Sequence, residues 1–143
     1  MKLYMPTKVY QEKNCVENHS RELAALGTRA LIVTGRHSSR INGSLDDVKN
    51  ALEREKIPCT VFDEVEENPS VETVKKAASL GAAFGADFVI GVGGGSPMDA
   101  AKAVALLIAN PGRDTDFLYQ KPSAGSGVRP AAPVAEVPTT AGT

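Results

Sequence analysis

The stretch Phe88–Lys102 constrains the fold of this chain more than any other. It begins with a continuous apolar run, Phe88–Val92, whose length and composition predict a strand buried on both faces. Consecutive glycines follow the run, and Ser96 and Pro97 are typical of the N-cap and the first position of a helix. The sequence therefore predicts a buried strand, a turn without side chains, and a helix that ends at Asn110-Pro-Gly.

A glycine turn before a helix is typical of a phosphate site. Gly93, Gly94 and Gly95 let the backbone approach an anion, because no Cβ stands in the way. Free N–H groups and the positive end of the helix dipole converge at the same point. Asp99 lies three residues after the predicted cap and would complete a capping box. We expect a phosphorylated ligand here, and the open alternative is a tight turn that binds nothing.

Strands and helices alternate along the rest of the chain. The predicted strands, nearly all apolar, are Ala30–Val33, Thr60–Phe62, Phe88–Val92 and Pro133–Val137. The predicted helices are capped by Asn14, Ser44 (with Asp47), Ser70 and Ser96. This alternation predicts an α/β, Rossmann-like, mostly parallel sheet with helices on both faces and ligands beyond the carboxyl ends of its strands. Lys2–Tyr10 contains Pro6, which favours an N-terminal edge strand or hairpin.

Composition excludes several functional classes. A length of 143 residues predicts one domain, residues 1–143. The net charge of -1 argues against nucleic acid or an anionic membrane as its partner, because both require a basic surface. No apolar run is long enough to span a membrane, no signal peptide is visible, and the only cysteines, Cys15 and Cys59, are far apart. These features predict a cytoplasmic protein. With His19 and His37 as its only histidines, the chain cannot build a His-rich metal site by itself.

Three separated motifs carry a family resemblance. Gly93–Lys102, Asn68–Ser70 and Pro138–Thr143 together resemble the iron-dependent (group III) alcohol dehydrogenases over essentially the whole chain. Sister families in the dehydroquinate synthase-like superfamily share the glycine loop but usually depart at the last motif. The resemblance implies hydride transfer between an alcohol or aldehyde and NAD(P), and a homodimer. It also implies that this chain is the N-terminal coenzyme-binding domain of a longer enzyme, inactive alone. An absent helical domain would bind Fe²⁺ or Zn²⁺ through an aspartate and three histidines.

The resemblance also implies which residues contact the coenzyme. Gly93, Gly94, Gly95 and Ser96 would hold the pyrophosphate, and Pro97, Met98 and Asp99 would line its edge. Asn68 would lie near the adenosine, and Thr139, Thr140 and Thr143 would bind from the opposite side of the cleft. Helix capping alone also explains Asp99, turn chemistry also explains the threonines, and Lys102 is interpreted as a solvent-facing side chain.

Gly35 bears on the choice between NAD and NADP. NAD-preferring relatives often carry an acid just after this strand, where it would repel a 2′-phosphate. This chain instead has Gly35, followed by Arg36, Ser38 and Ser39, which favours NADP over NAD. The alternative is that Arg36 and Arg40 are ordinary exposed loop residues.

Two other functions remain open from the sequence. The first is another enzyme of the same superfamily, such as a glycerol-type dehydrogenase or an NAD-using lyase. The second is a free-standing nucleotide-binding module. Metal ligands downstream of Thr143 would distinguish an enzyme from a module.

Overall fold

The sheet is parallel throughout and is the centre of the molecule. The computed structural model describes residues 7–112 and 127–139, and in these residues four strands are hydrogen-bonded in the order β2-β1-β3-β4. Their bounds are Ala30–Thr34 for β1, Cys59–Phe62 for β2, Phe88–Gly93 for β3 and Val134–Pro138 for β4. The predicted strands are confirmed to within one residue at each end, and the Rossmann-like α/β fold is confirmed with them.

The two inner strands are buried along their whole length. In β1 and β3 every residue is buried, and the two strands pair in register from Ala30 with Phe88 to Thr34 with Val92. Because helices cover both faces of such strands, side chains on both faces are apolar, and the sequence is a continuous apolar run and not an alternating one. This is why the two strands were visible in the sequence.

Six helices flank the sheet in the described residues. Their bounds are Cys15–Asn18 for α1, Ser20–Ala24 for α2, Ser38–Ile41 for α3, Ser44–Arg54 for α4, Val71–Phe84 for α5 and Gly95–Ala109 for α6. The helices α5 and α6 pack on one face around Leu31, Val89 and Val104, and α4 packs on the other around Ile32 and Ile90. No helix in the described part of the chain is both long and apolar enough to cross a bilayer.

The helix predicted to begin after Asn14 is two short helices instead of one. The backbone of Asn14 is left-handed, with φ 57°, and its side chain makes no capping hydrogen bond, so the predicted cap is wrong. The chain breaks at His19, between α1 and α2, where the imidazole ring stacks on Tyr10 with centroids 3.8 Å apart. His19 Nε2 also lies 2.5 Å from Glu12 Oε1, so both the ring and its nitrogen have local partners at this break.

The capping box predicted at Ser44 and Asp47 is also wrong. Ser44 is the first residue of α4, and the residue before it, Gly43, is left-handed with φ 83°. The Ser44 N–H instead donates to Asn42 Oδ1 at 2.9 Å, so the side chain that supports this helix start lies two residues earlier. A glycine that accepts positive φ allows the chain to turn there.

The remaining helix ends that were predicted near α5 and after α6 are confirmed. Ser70 Oγ accepts the N–H of Thr73 at 3.2 Å, and Gly85, with φ 80°, follows the last residue of α5. The helix α6 ends before Asn110. A Ser N-cap and a left-handed glycine after the last turn are the usual signals of helix boundaries.

The predicted N-terminal edge strand falls partly outside the described residues. Thr7–Tyr10 form no strand, and residues 1–6, including Pro6, lie outside the part of the chain that the structure describes. The same holds for Thr140 and Thr143, so the structure does not place these two threonines.

The amino ends of β1 and β3 are held together by Asp87. Its carboxylate accepts the N–H groups of Thr28 and Arg29 at 2.9–3.0 Å and the Thr28 hydroxyl at 2.7 Å. Burial raises the pKa of Asp87, but these donors outweigh it and leave the pKa lower than usual. The polar groups at this end of the sheet are therefore paired within the protein.

Candidate functional site

A cleft of ≈ 390 Å³ lies at the carboxyl ends of β1, β2 and β3. Its walls are the loops that follow these strands and the start of α6, and they comprise Thr34, Gly35, Arg36, His37, Ser38, Ser39, Val65, Glu66, Glu67, Gly93, Gly94, Ser96 and Pro97. Ligands of open parallel sheets bind at this position, and the sequence predicted this edge of the sheet.

The glycine loop begins the cleft at the end of β3. Gly93 has φ 139°, a conformation that L side chains rarely adopt, and a Cβ there would lie 3.0 Å from Pro97 Cγ. A Cβ on Gly95 would meet nothing within 4 Å. The backbone conformation and the contact with Pro97 therefore require a glycine at position 93. At Gly95 the protein itself leaves the space open, so a ligand could occupy it.

The start of α6 corrects the predicted cap. The helix begins at Gly95, its N-cap is Gly94 in an extended conformation, and no side chain caps it. Ser96 and Asp99 therefore do not form the capping box. Because no side chain takes the first N–H groups of the helix, those of Gly94, Gly95 and Ser96 remain for an external acceptor.

Close packing holds this helix start against β3. A Cβ on Gly91 would lie 2.8 Å from Ala101 Cβ and 3.3 Å from the carbonyl oxygen of Pro97. The absence of that Cβ lets the backbone of α6 approach the strand directly. The first turn of α6 is thus fixed by backbone packing and does not depend on a flexible side chain.

Asn68 lies against the first turn of α6. Its N–H donates to Ser96 Oγ at 3.4 Å, and its backbone is left-handed with φ 52°. This contact brings together two residues that are far apart in sequence and were both predicted to bind one ligand. It also uses the Ser96 hydroxyl, which the sequence had assigned to helix capping.

Thr139 reaches the glycine loop from β4. Its N–H donates to the carbonyl oxygen of Gly93 at 3.0 Å, which extends the pairing of the two strands by one residue. Its Oγ1 is buried and has no hydrogen-bond partner. A buried hydroxyl usually has a partner, so an unpaired one beside the glycine loop is suited to a ligand contact.

Five of the predicted residues that the structure describes do not line the cleft: Asn68, Gly95, Met98, Asp99 and Thr139. Asp99 is exposed on α6. Lys102 is also exposed, as expected for a solvent-facing side chain. In the structure, Gly93 to Pro97 are thus the part of this motif that faces or adjoins the cleft.

The loop after β1 places Gly35, Arg36 and Ser39 in the cleft wall. Arg36 Nη2 lies 4.0 Å from Glu64 Oε1, and the Arg36 side chain is 67% exposed. Ser39 is 1% exposed and its hydroxyl is bonded to Thr34 Oγ1, so this hydroxyl already has a partner within the protein. Arg40 pairs with Asp63 at 2.6 Å on the surface.

The sequence analysis did not single out the two glutamates in the loop after β2. Glu66 and Glu67 both line the cleft. Hydrogen bonds from the Thr73 hydroxyl and the Ser70 N–H hold the pKa of Glu66 below its usual range, so it is a carboxylate at neutral pH. Their position directly after a predicted strand was the available signal.

Glu136 was also missed. It lies in β4 opposite Gly91, and both carboxyl oxygens are buried without a hydrogen-bond partner. Burial raises the pKa of Glu136 to about 7, with Asp99 adding to the rise and Lys102 opposing it. The signal for it was a single charge inside an apolar strand.

The site contains no metal centre in the residues described. Across residues 7–112 and 127–139, no three His, Cys, Asp or Glu side chains gather closely enough to hold a metal ion. What the cleft offers is free N–H groups at a helix start, a buried hydroxyl, one guanidinium and two carboxylates, a set suited to a phosphorylated organic ligand.

Comparison with known proteins gives the same family as the motifs. A family model for iron-containing alcohol dehydrogenase matches residues 6–143. The crystal structure of an iron-containing alcohol dehydrogenase from Thermotoga maritima aligns with a TM-score of 0.89 and 46% identity, covering 99% of this chain and 38% of that one.

Curated relatives give the same result. The NADPH-dependent butanol dehydrogenase of Clostridium saccharobutylicum is 35% identical over 100% of this chain and 36% of its own length. The NADH-dependent butanol dehydrogenase B of Clostridium acetobutylicum is 32% identical over 97% of this chain and 35% of its own length. The chain thus spans little more than a third of these relatives. With the family model matching nearly its whole length, the chain belongs to the iron-containing alcohol dehydrogenase family.

Proposed function

We propose that residues 1–143 form the coenzyme-binding domain of a metal-dependent alcohol dehydrogenase that transfers hydride between NAD(P) and an alcohol or aldehyde. Family membership supports this activity. The observation that carries the coenzyme role is the uncapped start of α6, which opens into a cleft at the strand ends. This chain would supply coenzyme position, and residues elsewhere in the full-length protein would bind Fe²⁺ or Zn²⁺. When bound, that metal ion supplies Lewis-acid stabilisation of negative charge on the alcohol oxygen.

The coenzyme pyrophosphate fits the first turn of α6. The N–H groups of Gly94, Gly95 and Ser96 and the helix dipole favour an anion there. No Cβ at Gly95 blocks the approach, and the unpaired Thr139 Oγ1 lies beside the loop. Asn68, whose N–H donates to Ser96 Oγ, would then face the adenosine side, as the family resemblance implies.

We further propose that the coenzyme is NADP rather than NAD. Gly35 leaves no acid after β1 to repel a 2′-phosphate, and Arg36 stands beside it in the cleft wall. The relatives do not decide this, because one is named for NADPH and another for NADH. Glu66 and Glu67 act against a further negative charge, so we expect a moderate preference.

The coenzyme preference is tested by Gly35→Asp in the full-length protein. The Cβ would come no closer than 3.4 Å to the Val65 carbonyl oxygen, and Gly35 has no left-handed φ, so the variant is expected to fold. The ratio of kcat/KM for NADPH to that for NADH should fall by about tenfold, which is a difference of roughly 1.4 kcal/mol. An unchanged ratio would refute the NADP assignment.

Gly95→Ala separates coenzyme binding from a merely structural turn. In the free protein the new methyl group meets nothing, and alanine is a better helix former than glycine by up to about 1 kcal/mol. We therefore expect unchanged or higher stability in urea denaturation. If the pyrophosphate sits over this N–H, the same methyl group should weaken NADPH and NADH binding by about tenfold or more in calorimetric titration.

The control is Ser79→Ala, at an exposed position of α5 that does not line the cleft. It should leave dinucleotide affinity unchanged. If Gly95→Ala binds both dinucleotides as tightly as the wild type does, or if the wild type binds neither, the proposed coenzyme site is wrong.

A further inference from the structure

Thr34 joins three loops that form the cleft. It is 0% exposed at the end of β1, the strand that leads into the Gly35–Ser38 loop. Its carbonyl oxygen accepts the N–H of Val65, in the loop after β2, at 3.2 Å. Its Oγ1 donates to the carbonyl oxygen of Val92, one residue before the glycine loop, at 2.7 Å. The ends of β1, β2 and β3 therefore meet at one residue.

Ser39 completes this arrangement, and the proton positions follow from the partners. The Thr34 hydroxyl has one proton, and the Val92 carbonyl oxygen can only accept it. The Ser39 hydroxyl, 2.6 Å away, must therefore donate to Thr34 Oγ1. Ser39 is 1% exposed and lies in α3, immediately after the cleft-lining loop. Ser44 Oγ lies 3.4 Å from the Ser39 carbonyl oxygen and ties the same residue to α4.

We propose that Thr34 and Ser39 are positioning residues that set the affinity of the cleft for a nicotinamide dinucleotide. The inference rests on the proposed coenzyme function. Both residues line the cleft, but they are only 0% and 1% exposed, and their hydroxyl groups are bonded to each other and to the Val92 carbonyl oxygen. They hold the Gly35–Ser38 loop at a fixed distance from the glycine loop. These two loops would contact different halves of the coenzyme, so their spacing would determine how well both halves bind at once.

Each hydroxyl depends on the other, which makes the effect cooperative. Removing the Ser39 hydroxyl frees the start of α3, and removing the Thr34 hydroxyl leaves both Ser39 and the Val92 carbonyl oxygen without their partner. Buried polar groups that act as one network lose function non-additively. The second substitution should therefore add little to the first.

The experiment measures dinucleotide affinity in the full-length protein with Thr34→Val, Ser39→Ala, the double variant and Thr34→Ser. NADPH and NADH are titrated by fluorescence, and stability is followed by urea denaturation. We expect each hydroxyl deletion to weaken binding about tenfold, and the double variant to be no more than about twofold weaker still. Thr34→Ser keeps the hydroxyl and should bind within about twofold of the wild type.

A stability control separates positioning from general destabilisation. Leu52→Ala removes a buried side chain near the far end of α4, where it should cost about 2–5 kcal/mol of stability without changing affinity. If the hydroxyl deletions lower stability but bind as tightly as the wild type, or if Leu52→Ala weakens binding equally, the positioning role is overturned. If the wild type itself binds no dinucleotide, the proposed function fails and this inference fails with it.

Discussion

Asp87 and Glu136 are two carboxyl groups of the same sheet with opposite surroundings. Asp87, at the amino ends of β1 and β3, accepts two backbone N–H groups and a hydroxyl, and its pKa is lowered. Glu136, within β4, has both oxygens buried with no partner, and burial raises its pKa to about 7. The charged form is favoured at one position and disfavoured at the other.

The difference shows that the amino ends of the strands mainly stabilise the fold. The amino ends of the strands satisfy their polar groups internally, which is the usual state of a structural edge. On the other side of the molecule, the uncapped start of α6, the Thr139 hydroxyl and the Glu136 carboxyl are all left without internal partners. Unsatisfied polar groups cost stability and are expected where a protein binds something. The following predictions test this contrast, from the largest expected effect to the smallest.

The largest effect is expected for Glu136→Gln, measured as stability against pH. Because the folded pKa of about 7 lies above the unfolded value of 4.5, the folded protein holds the proton in this window, and wild-type stability should fall as pH rises from 4.5 to 7. Glutamine cannot ionise, so the variant should lack this fall. It should be more stable than the wild type by up to about 3 kcal/mol at pH 8.

The charged groups around Glu136 are Asp99 and Lys102, both on α6. The measurement is urea denaturation at several pH values between 4 and 8. Parallel stability curves for the wild type and Glu136→Gln would contradict the contrast, because they would mean that Glu136 is ionised at low pH like an ordinary carboxylate. Asp99→Asn is the matched control and should change the slope much less.

A smaller effect is expected for Asp87→Ala. The lost hydrogen bonds to Thr28 and Arg29 should lower stability by about 1 kcal/mol at pH 7, because Asp87 is exposed and water competes for its charge-assisted bonds. Since the pKa of Asp87 is lowered, this contribution is present above its unfolded value and disappears as pH falls through its folded value.

Dinucleotide affinity should be unchanged in this variant, because Asp87 lies at the end of the sheet opposite the cleft. Glu53→Ala, an exposed acid on α4, is the control and should stay within about 0.5 kcal/mol of the wild type. An Asp87→Ala protein of normal stability would show that its hydrogen bonds are replaced by water at no cost.

The smallest effect is expected for Thr139→Val. The change removes a buried hydroxyl that has no partner, so stability should be unchanged or higher by about 1 kcal/mol. Dinucleotide binding should weaken by a few-fold to tenfold, because a coenzyme hydrogen bond would be lost. Thr60→Val on β2 is the control for the same exchange in a strand away from the loop. Lower stability with full affinity would show that the Thr139 hydroxyl serves the fold.

The fold could be predicted from local sequence patterns, while several details of the site could not. Continuous apolar runs predicted β1 and β3, because both of their faces are covered, and Ser70 predicted the start of α5 by its own side chain. The predicted cap at Ser96 was wrong because Gly94 takes the N-cap position, with α6 packed directly on Gly91. Ser39 looked like a free hydroxyl in a polar loop until folding paired it with Thr34.

The sequence by itself determined the order of the main strands and helices along the chain, the edge of the sheet where the cleft lies, and the family. These depend on short-range patterns of apolar residues, glycines and helix boundaries, and a single chain displays them directly. Only the tertiary structure decided which polar groups find partners. Asp87 meets Thr28 from 59 positions away, and Thr34 meets Val92 from 58, whereas the side-chain oxygens of Glu136 and Thr139 have no hydrogen-bond partner in the described part of the chain. Burial and hydrogen bonding depend on contacts between distant segments. The residue types alone therefore could not distinguish a hydrogen-bonded carboxylate from a buried one without a partner.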